Sequence, residues 1–421
     1  MTGVRPLQKP FWFRLRFQVL MGILIAAIFP YLVRLSFIGA HDLHIHNNTL
    51  IGTMAAIVIG AWLMRNVGTY PGSEAIANTL SSFFGAFGIL LIIFIFSRLS
   101  YNRVSLFAGF SLSLFWFCAL AVREQRRRLK IGVLPFGNFS SLQEIPNVSW
   151  RALHSPQDDI NDLDAIAADL RIDLPTEWDR QLTEYALTRV PVYHTKHLIE
   201  SLTGRVELEH LSENSFGSLV PRQDYMTFKH IVDWVVALLA GVILFPFLLF
   251  VGLLVRLTSK GPILFRQERI GYLGKPFMVY KFRTMQVEQR AANDERDLAI
   301  TREGDSRVTK FGRFLRKSRI DELPQIMNIL KGEMSWIGPR PEAAILSHWY
   351  EEEIPFYRYR HIVRPGIAGW AQVRQGHVAD VEAVNSKLHY DFYYIKQYSP
   401  WIDLLIVMKT IRTMLTGFGA R

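Results

Sequence analysis

Four apolar stretches, separated by short polar connections, organise the first 130 residues. They run roughly from 17 to 35, 50 to 64, 80 to 96 and 106 to 122. Because a helix needs about 20 apolar residues to cross a bilayer, the pattern predicts an N-terminal bundle of four transmembrane helices over residues 1–130. The second stretch is short, so a bundle with three crossings is the alternative.

Basic residues flank this predicted bundle on both sides. Lys9, Arg14 and Arg16 precede the first apolar stretch, and five lysines and arginines lie between positions 123 and 130. Loops on the cytoplasmic side of a membrane carry an excess of such residues. Both ends of the bundle are therefore expected in the cytoplasm, which requires an even number of crossings.

Residues 131–225 have the composition of a water-soluble domain. The segment 131–137 predicts a strand and a tight turn, 162–170 predicts a helix, and 190–193 predicts a later strand. The turn after the first strand has no Gly-x-Gly-x-x-Gly pattern, so a bound dinucleotide is not expected. We interpret this segment as a cytosolic α/β module with a structural or regulatory role.

A fifth apolar stretch, at 231–255, lies near the start of the last segment, residues 226–421. It is long enough to cross the bilayer as one helix. Pro246 lies near its middle, where a proline removes one backbone hydrogen bond and bends a helix. The pattern allows two paths: a bent crossing helix, or a re-entrant helix that enters one leaflet and returns.

The composition also points to a membrane. Half of the 421 residues are hydrophobic and 13% are aromatic, and the mean hydropathy of +0.14 is high for a soluble protein. The net charge of +11 suits an anionic membrane surface or a nucleic acid. Because no zinc-finger, recognition-helix or RNA-binding motif accompanies the charge, we expect membrane lipids and no nucleic acid as partner. The single cysteine, Cys118, excludes an intramolecular disulfide.

Two adjacent carboxylates mark the candidate site. Asp321 and Glu322 precede Pro324, and an apolar run spaced by three and four residues continues to Gly332. This spacing predicts a buried helix that begins near Pro324 and ends at Gly332. The carboxylates then lie at a helix N-terminus, where the helix dipole favours carboxylates and phosphates. Taken alone, such a pair is ordinarily a solvated helix cap.

Basic residues around these carboxylates change that interpretation. Lys281, Arg283 and Arg313 lie upstream, and Arg340 and Arg364 lie downstream in turns rich in glycine and proline. Arginine binds phosphate oxygens through a planar fork of donors. Magnesium commonly uses one or two carboxylates together with substrate phosphates. The combination predicts a site for a phosphorylated substrate and a divalent metal.

From about residue 229 onward the chain resembles the bacterial sugar transferases. These are the polyprenyl-phosphate hexose-1-phosphate transferases, also called monotopic phosphoglycosyl transferases. Many separate blocks match in the family's order over nearly half of the chain. The blocks are 261–271, 274–277, 281–285, 305–309, 312–316, 321–325, Asn328, 332–335, 338–341, 364–367, 369–370, and Asp391 with Tyr394.

The resemblance implies a reaction and a role for each site residue. Asp321 would attack the β-phosphate of a UDP-sugar and expel UMP, with Glu322 as the ligand of Mg²⁺. Polyprenyl (undecaprenyl) phosphate would then take the sugar phosphate from Asp321, giving polyprenyl-diphosphate-sugar and starting exopolysaccharide, capsule or O-antigen synthesis. The five basic residues named above would contact substrate phosphates. The resemblance does not identify the sugar.

The resemblance also implies the architecture of a membrane protein of mixed α/β class. It predicts a mainly α catalytic domain on the cytoplasmic face of the bacterial inner membrane, with a re-entrant helix at about 229–256 that breaks at Pro246. Phe245 stands where the family often has a serine, so a hydroxyl that could satisfy a freed carbonyl is missing. The module at 131–225 would be a degenerate Rossmann-like domain. The charged segment 291–307 would be a lid over the site or a solvated helix.

Two other classes of protein are compatible with the sequence. A lipid-phosphate hydrolase would use water in place of the lipid acceptor. A non-catalytic membrane scaffold for polysaccharide assembly would use the acidic pair only as a helix cap. For the oligomeric state, a homodimer through the membrane helices or the α/β module is the working expectation.

Overall fold

The computed structural model describes residues 14–38, 43–68, 70–71, 75–125, 128–137, 142, 145, 148–187, 190–206, 221–286, 307–375 and 381–416. The chain forms two compact units, Met1–Gly204 and Arg205–Arg421. The first unit contains the N-terminal helices and the α/β module, and the second contains the candidate site. The segment 291–307, interpreted above as a lid or a solvated helix, lies outside the described residues up to position 306.

The first four apolar stretches all form helices, and large apolar side chains pack between these helices. Ile57, Phe83 and Phe117 are fully buried, and the ring centroids of Phe83 and Phe117 lie 4.6 Å apart. The helix α3 (Leu43–Val67) is longer than its apolar stretch, because the mostly polar segment 43–49 begins it. The elements are α1 (Leu15–Ile23), a π-helical turn (Leu24–Ile28), α2 (Phe29–Ile38), α3 (Leu43–Val67), α4 (Ala75–Phe96) and α5 (Arg103–Gln125).

The outer surface of this bundle is apolar. Phe37, Phe96 and Phe107 are each more than two-thirds exposed, which is the pattern of side chains that face lipid. Four described segments of the bundle are long and apolar enough to cross a membrane: Leu15–Phe37, Leu43–Val67, Ala75–Phe96 and Arg103–Glu124. The chain is therefore a membrane protein, and the number of helices that cross stays a prediction.

The α/β module is a parallel four-stranded sheet with the strand order β2-β1-β3-β4. Trp178 packs against one face of β3 and Leu198 packs against the other, so the sheet is covered on both sides. This order and these layers are those of a doubly wound α/β fold. The elements are β1 (Leu129–Val133), β2 (Val148–Ala152), β3 (Ala165–Ala168), α6 (Thr176–Leu187), β4 (Val192–His194) and α7 (Thr195–Thr203).

Two sequence predictions for this module need correction. The helix expected at 162–170 is the strand β3, whose four residues are fully buried. A short continuous apolar run fits a central strand and a buried helix equally well, and here both sheet faces are covered. The late strand begins at Val192, two residues after its predicted start. The strand and turn expected at 131–137 are confirmed, with Gly137 at φ +103°.

In the second unit, the fifth apolar stretch forms the long helix α8 (Gln223–Thr258). The helix continues through Pro246, so the expected break is not seen. Proline removes one backbone hydrogen bond, but the flanking turns stay helical. Whether the helix turns back within the membrane stays a prediction.

One face of α8 packs against the rest of its unit, and the opposite face does not. Ala237 packs with Phe277 in one apolar cluster, and Val255 packs with Phe282 in another. This opposite face of the helix is apolar and open, with Ile243 74% exposed.

A cluster of buried charged and hydroxyl groups fixes the beginning of α8; we call it the anchor cluster. Lys229 Nζ lies 2.8 Å from Asp403 Oδ2 and 3.6 Å from Asp233 Oδ2. Ser335 donates its hydroxyl to Asp233 Oδ2 at 2.6 Å. Tyr394 donates to Asp403 Oδ1 at 2.8 Å. These bonds join the helix to two other parts of the unit.

The rest of the second unit consists of short strands and helices around α8. They include an antiparallel hairpin of β5 and β6 and a separate parallel pair, β7 and β8. At that pair the backbones approach so closely that a Cβ on Gly366 would lie 2.0 Å from the Gly338 nitrogen. The elements are β5 (Leu264–Ile270), β6 (Pro276–Phe282), α9 (Lys310–Lys317), a 3₁₀ turn (Ile320–Gln325), α10 (Ile326–Leu330), β7 (Ser335–Ile337), α11 (Ala344–Glu353), β8 (Gly366–Ala368), α12 (Trp370–Gln375), α13 (Val381–Lys396) and α14 (Pro400–Thr416).

Candidate active site

The two carboxylates lie on a 3₁₀ turn between two helices. The helix α9 ends at Lys317, and Arg319 then takes a left-handed backbone conformation that redirects the chain into the turn Ile320–Gln325. The α-helix proper begins at Ile326, two residues later than Pro324 predicts. Gly332 has φ +76° beyond the end of this helix, as expected.

Burial distinguishes this pair from an ordinary solvated cap. Asp321 and Glu322 are both buried, and so are Ile326 and Ile329 on the face of the helix that follows. The predicted buried helix face is therefore confirmed. The carboxylates share that buried environment, which raises the energetic cost of any unbalanced charge.

Glu322 is surrounded by cations. Its Oε1 atom lies 2.6 Å from Arg340 Nη2, 3.2 Å from Lys281 Nζ and 3.6 Å from Arg319 Nη1. Burial alone would raise the pKa of Glu322, but Arg340 and Lys281 outweigh burial and hold this pKa well below its usual value. Glu322 is therefore a permanent carboxylate. We call these four residues, together with Asp321, the dyad cluster.

Asp321 has a different environment from its neighbour. Its Oδ1 atom is buried and has no hydrogen-bond partner among the described residues. Burial, and then the negative charge of Glu322, raise the pKa of Asp321 to about 6. The cations that stabilise Glu322 compensate this shift only in part. Adjacent carboxyl groups with pKa values pushed apart have the properties of groups with different roles.

Lys281 reaches the dyad because one side chain joins its strand to the helix after the dyad. Asn328 on α10 donates to the Met278 carbonyl at 2.7 Å and accepts from the Tyr280 amide at 3.2 Å, both on β6. This pairing fixes the strand beside the 3₁₀ turn. Burial lowers the pKa of Lys281 to about 8, and the charge of Glu322 limits that shift.

Arg340 is held by a buried arginine behind it. Arg360 donates to the Arg340 carbonyl at 2.8 Å and to Asp391 Oδ2 at 2.8 and 3.1 Å. Its third partner is the Tyr357 hydroxyl, at 2.7 Å. Asp391 belongs to one of the matching sequence blocks, whereas its pairing with Arg360 was not predicted from the sequence. The Arg360–Asp391 pair fixes the loop that carries Arg340.

The structure places the five predicted phosphate-binding residues in different surroundings. Lys281 and Arg340 contact the dyad. Arg283 instead donates to the carbonyl and hydroxyl oxygens of Ser259, at 2.6 and 2.8 Å.

The other two have different surroundings again. Arg364 donates to the Gly332 carbonyl at 3.0 Å and lies over the Tyr272 ring. Arg313 is exposed on α9. The phosphate contacts of all five residues stay predictions.

Two further cations of this region, Arg319 and Arg269, are not among the five predicted phosphate-binding residues. Arg319 lies three residues before Glu322 and forms the third ion pair with it. Arg269 donates to the Pro341 carbonyl and to Gln267 Oε1. Spacing along the turn could have identified Arg319, whereas the place of Arg269 depends on the pairing of distant segments.

The donor set fits a magnesium ion that is completed by a substrate. Among the described residues, no group of three or more His, Cys, Asp or Glu side chains could enclose a metal. The three ion pairs of Glu322 all use Oε1, and Asp321 Oδ1 is unpartnered. One or two carboxylates with substrate phosphates are the usual set for Mg²⁺.

Comparison with known proteins reveals similarity along nearly the whole chain. The family model for the bacterial sugar transferase matches residues 224–417. The UDP-N-acetylgalactosamine-undecaprenyl-phosphate N-acetylgalactosaminephosphotransferase of Aeromonas hydrophila is 44% identical over 379 residues, which are 89% of this chain and 88% of that protein.

Two relatives named UDP-glucose:undecaprenyl-phosphate glucose-1-phosphate transferase match a shorter region. The protein of Caulobacter vibrioides is 42% identical over 206 residues, 48% of this chain and 76% of its own length. The Escherichia coli protein is 42% identical over 187 residues, 44% of this chain and 39% of its own length.

The fold and the site define a membrane-bound enzyme with a buried carboxylate pair among cations. The chain belongs to the bacterial sugar transferase family, and it is a transferase.

Proposed function

We propose that this enzyme transfers N-acetylgalactosamine 1-phosphate, or a closely related sugar phosphate, from its UDP-sugar to undecaprenyl phosphate. The dyad cluster supports the chemistry, since it holds two adjacent buried carboxyl groups of unlike pKa among cations. The relative from Aeromonas hydrophila supports the choice of sugar, because its similarity covers the membrane bundle and the α/β module as well as the catalytic region. The product would begin a surface polysaccharide.

The proposed reaction has two steps at one phosphorus atom. An Asp321 carboxylate oxygen attacks the β-phosphorus of the UDP-sugar, and the bond from that phosphorus to the bridging oxygen breaks, releasing UMP. An oxygen of undecaprenyl phosphate then attacks the same phosphorus. The bond to Asp321 breaks, which regenerates the carboxylate and releases undecaprenyl-diphosphate-sugar.

The surroundings of Asp321 and Glu322 support different roles for the two residues, one as nucleophile and one as metal ligand. Asp321 has an oxygen without a partner and a pKa of about 6, so at neutral pH it is largely ionised and available to attack. Glu322 is held by Arg340 and Lys281 and is the candidate ligand of Mg²⁺. When bound, the ion would neutralise charge on the phosphate oxygens. The fixed cations around Glu322 would stabilise the same charge.

A re-entrant path of α8 is part of the proposal. A straight helix of 36 residues would extend about 54 Å, well beyond the bilayer core of about 30 Å. Asp233 and Val255 both pack inside the unit that holds the dyad, and the outward-facing side chains between them are apolar and exposed. These contacts support a helix that dips into one leaflet with both ends at the same surface.

That path would keep the catalytic domain on one face of the membrane. We place it on the cytoplasmic face of the inner membrane, in agreement with the basic residues at both ends of the N-terminal bundle. UDP-sugars and the phosphate of undecaprenyl phosphate would then meet at the dyad.

The proposed function can be tested with purified protein, Mg²⁺ and a panel of UDP-sugars, first without lipid. UMP release and the intact protein mass are followed for the parent and for Asp321→Asn. We expect one sugar-phosphate adduct with UDP-N-acetylgalactosamine, absent from the variant and discharged by undecaprenyl phosphate. UMP release only after lipid is added, with no adduct, would contradict the covalent step.

Other outcomes of this experiment identify the competing classes. Free sugar phosphate without lipid would indicate a hydrolase. No reaction with any sugar, with or without lipid, would support the scaffold. An adduct with UDP-glucose alone would contradict the proposed sugar but retain the mechanism.

A further inference from the structure

Arg319 has a backbone conformation that glycine adopts more easily. Its φ is 59° and its ψ is 14°, the left-handed region. Hydrogen bonds on both sides fix this conformation: Arg319 N donates to the Arg316 carbonyl at 3.2 Å, and Glu322 N donates to the Arg319 carbonyl at 3.2 Å. A glycine is the usual residue where a helix ends in this way. An arginine here therefore has a strained backbone.

The Arg319 side chain is the most accessible cation on Glu322. It is 40% exposed, compared with 16% for Lys281 and 15% for Arg340. Lys281 and Arg340 hydrogen-bond Glu322, whereas Arg319 approaches it at 3.6 Å, beyond hydrogen-bond distance. The Arg319 guanidinium makes no hydrogen bond within the described parts of the chain. Its planar fork of donors is thus open toward solvent at the edge of the dyad.

A role as a helix-terminal charge does not account for Arg319. Cations near a helix C-terminus are favourable, but Arg316 and Lys317 already occupy the last turn of α9. Arg319 instead points its charge at the carboxylate beside the unpartnered Asp321. A phosphate near Asp321 would therefore lie close to the Arg319 guanidinium, whose N–H donors are available for hydrogen bonds.

From this geometry we infer that Arg319 binds a phosphate oxygen of a substrate in the active site. The inference rests on the proposed function, since it assumes that the dyad is the reaction centre. The phosphate belongs either to the UDP-sugar or to undecaprenyl phosphate, and both present the same chemistry to a guanidinium. The two half-reactions separate these sources.

The test compares Arg319→Gly with Arg319→Lys and with the control Lys317→Ala. Glycine adopts the left-handed backbone conformation without strain. The melting temperature of the Arg319→Gly protein should therefore equal or exceed that of the parent. Lys317 is exposed on α9 and has no role in the proposed site, so its variant carries the same loss of charge. Adduct formation without lipid is measured at low UDP-sugar, and discharge of the adduct is measured at low undecaprenyl phosphate.

For Arg319→Gly we expect one half-reaction to slow by about tenfold to a hundredfold, the usual effect of losing a charged hydrogen bond. A slower adduct formation assigns the UDP-sugar phosphate, and a slower discharge assigns the lipid phosphate. Lysine should restore part of the rate, and Lys317→Ala should react like the parent. Parent rates in both half-reactions of Arg319→Gly would overturn the inference while leaving the proposed function intact.

A binding measurement keeps the inference testable apart from turnover. In the Asp321→Asn background with Mg²⁺, calorimetry gives the dissociation constants of the UDP-sugar and of a short-chain polyprenyl phosphate. Arg319→Gly should weaken one of them by about tenfold or more. Unchanged affinity for both would overturn the inference. If the parent forms no adduct at all, the proposed mechanism fails, and this titration still decides the role of Arg319.

Discussion

The dyad cluster and the anchor cluster are two groups of buried charges in one unit. They differ in the ratio of cations to carboxylates and in the partners of the carboxylate oxygens. In the anchor cluster, Lys229 meets two carboxylates, and both oxygens of Asp403 have partners. In the dyad cluster, cations outnumber carboxylates, and Asp321 has an oxygen without a partner. Buried charges that are paired inside the protein fix a fold, whereas a cluster with a surplus of cations and an unpartnered carboxylate oxygen has capacity left for a charged ligand.

Asp321→Asn is the change with the largest expected effect on this comparison. It retains the shape of the side chain but removes the proposed nucleophile, so turnover should fall by about a thousandfold or more. Because burial raises the pKa of Asp321, the folded state disfavours its charge, and the melting temperature should stay the same or rise. UMP release and thermal unfolding are measured on the same preparation. Turnover near the parent rate in a well-folded variant would remove Asp321 from its role.

Lys229→Met tests the anchor cluster. It leaves the carboxylates of Asp403 and Asp233 buried without their cation, which typically costs about 3–5 kcal/mol. The melting temperature should fall by about 10 °C. Tryptophan fluorescence in detergent micelles follows the unfolding.

The double variant Lys229→Met/Asp403→Asn is the control for this experiment. It removes one of the stranded charges and should recover part of the lost stability. Lys281→Met in the dyad cluster should cost less stability, because Glu322 keeps Arg340 at 2.6 Å. Equal destabilisation by Lys229→Met and Lys281→Met would abolish the distinction between the two clusters.

Glu322→Gln probes the metal that the dyad cluster is proposed to hold. The glutamine amide has one carbonyl oxygen and no charge, so half-maximal activity should need at least about tenfold more Mg²⁺. Losses of metal affinity of this size are seen even when the changed residue only hydrogen-bonds to a metal ligand. Activity is titrated with Mg²⁺ for the parent and the variant. A titration curve that superimposes on that of the parent would assign the metal to other oxygens.

The sequence predicted the parts of the fold that depend on local pattern. The apolar stretches are helices, the strand and turn at 131–137 exist, and the dyad precedes a buried helix that ends before Gly332. These features follow from hydrophobic spacing and from the conformations of glycine and proline. The strand β3 was misassigned because its four buried residues have no period.

The arrangement of the site could be predicted only in part. Residue types and a family resemblance indicated Asp321, Glu322, Lys281 and Arg340, but not which cation meets which carboxylate. Arg283 turns to Ser259 because β6 brings it to the end of α8 rather than to the dyad. Such contacts depend on how distant segments pair, which the local pattern of one sequence does not specify.

The smallest expected effect concerns His361. This residue shows that a buried polar atom without a hydrogen-bond partner does not by itself mark a reaction site. Its Nε2 atom is buried without a hydrogen-bond partner among the described residues, like Asp321 Oδ1. Burial, and then Arg360 and Arg358, lower the pKa of His361 to about 3. The imidazole is therefore neutral and repelled by nearby cations, although the Glu351 carboxylate lies 3.9 Å from Nε2.

This difference predicts a pH dependence of stability rather than of chemistry. The unfolded chain binds a proton at His361 near pH 6.5 and the folded protein resists it. The contribution of His361 is therefore complete above pH 6.5 and is lost by about 1.4 kcal/mol for each pH unit below it. His361→Gln should reduce the fall in melting temperature between pH 7.5 and 5.5, whereas His348→Gln, at an exposed position on α11, should not. An equal fall in the parent and in both variants would mean that other groups carry the acid sensitivity, and that His361 takes up its proton without resistance from the fold.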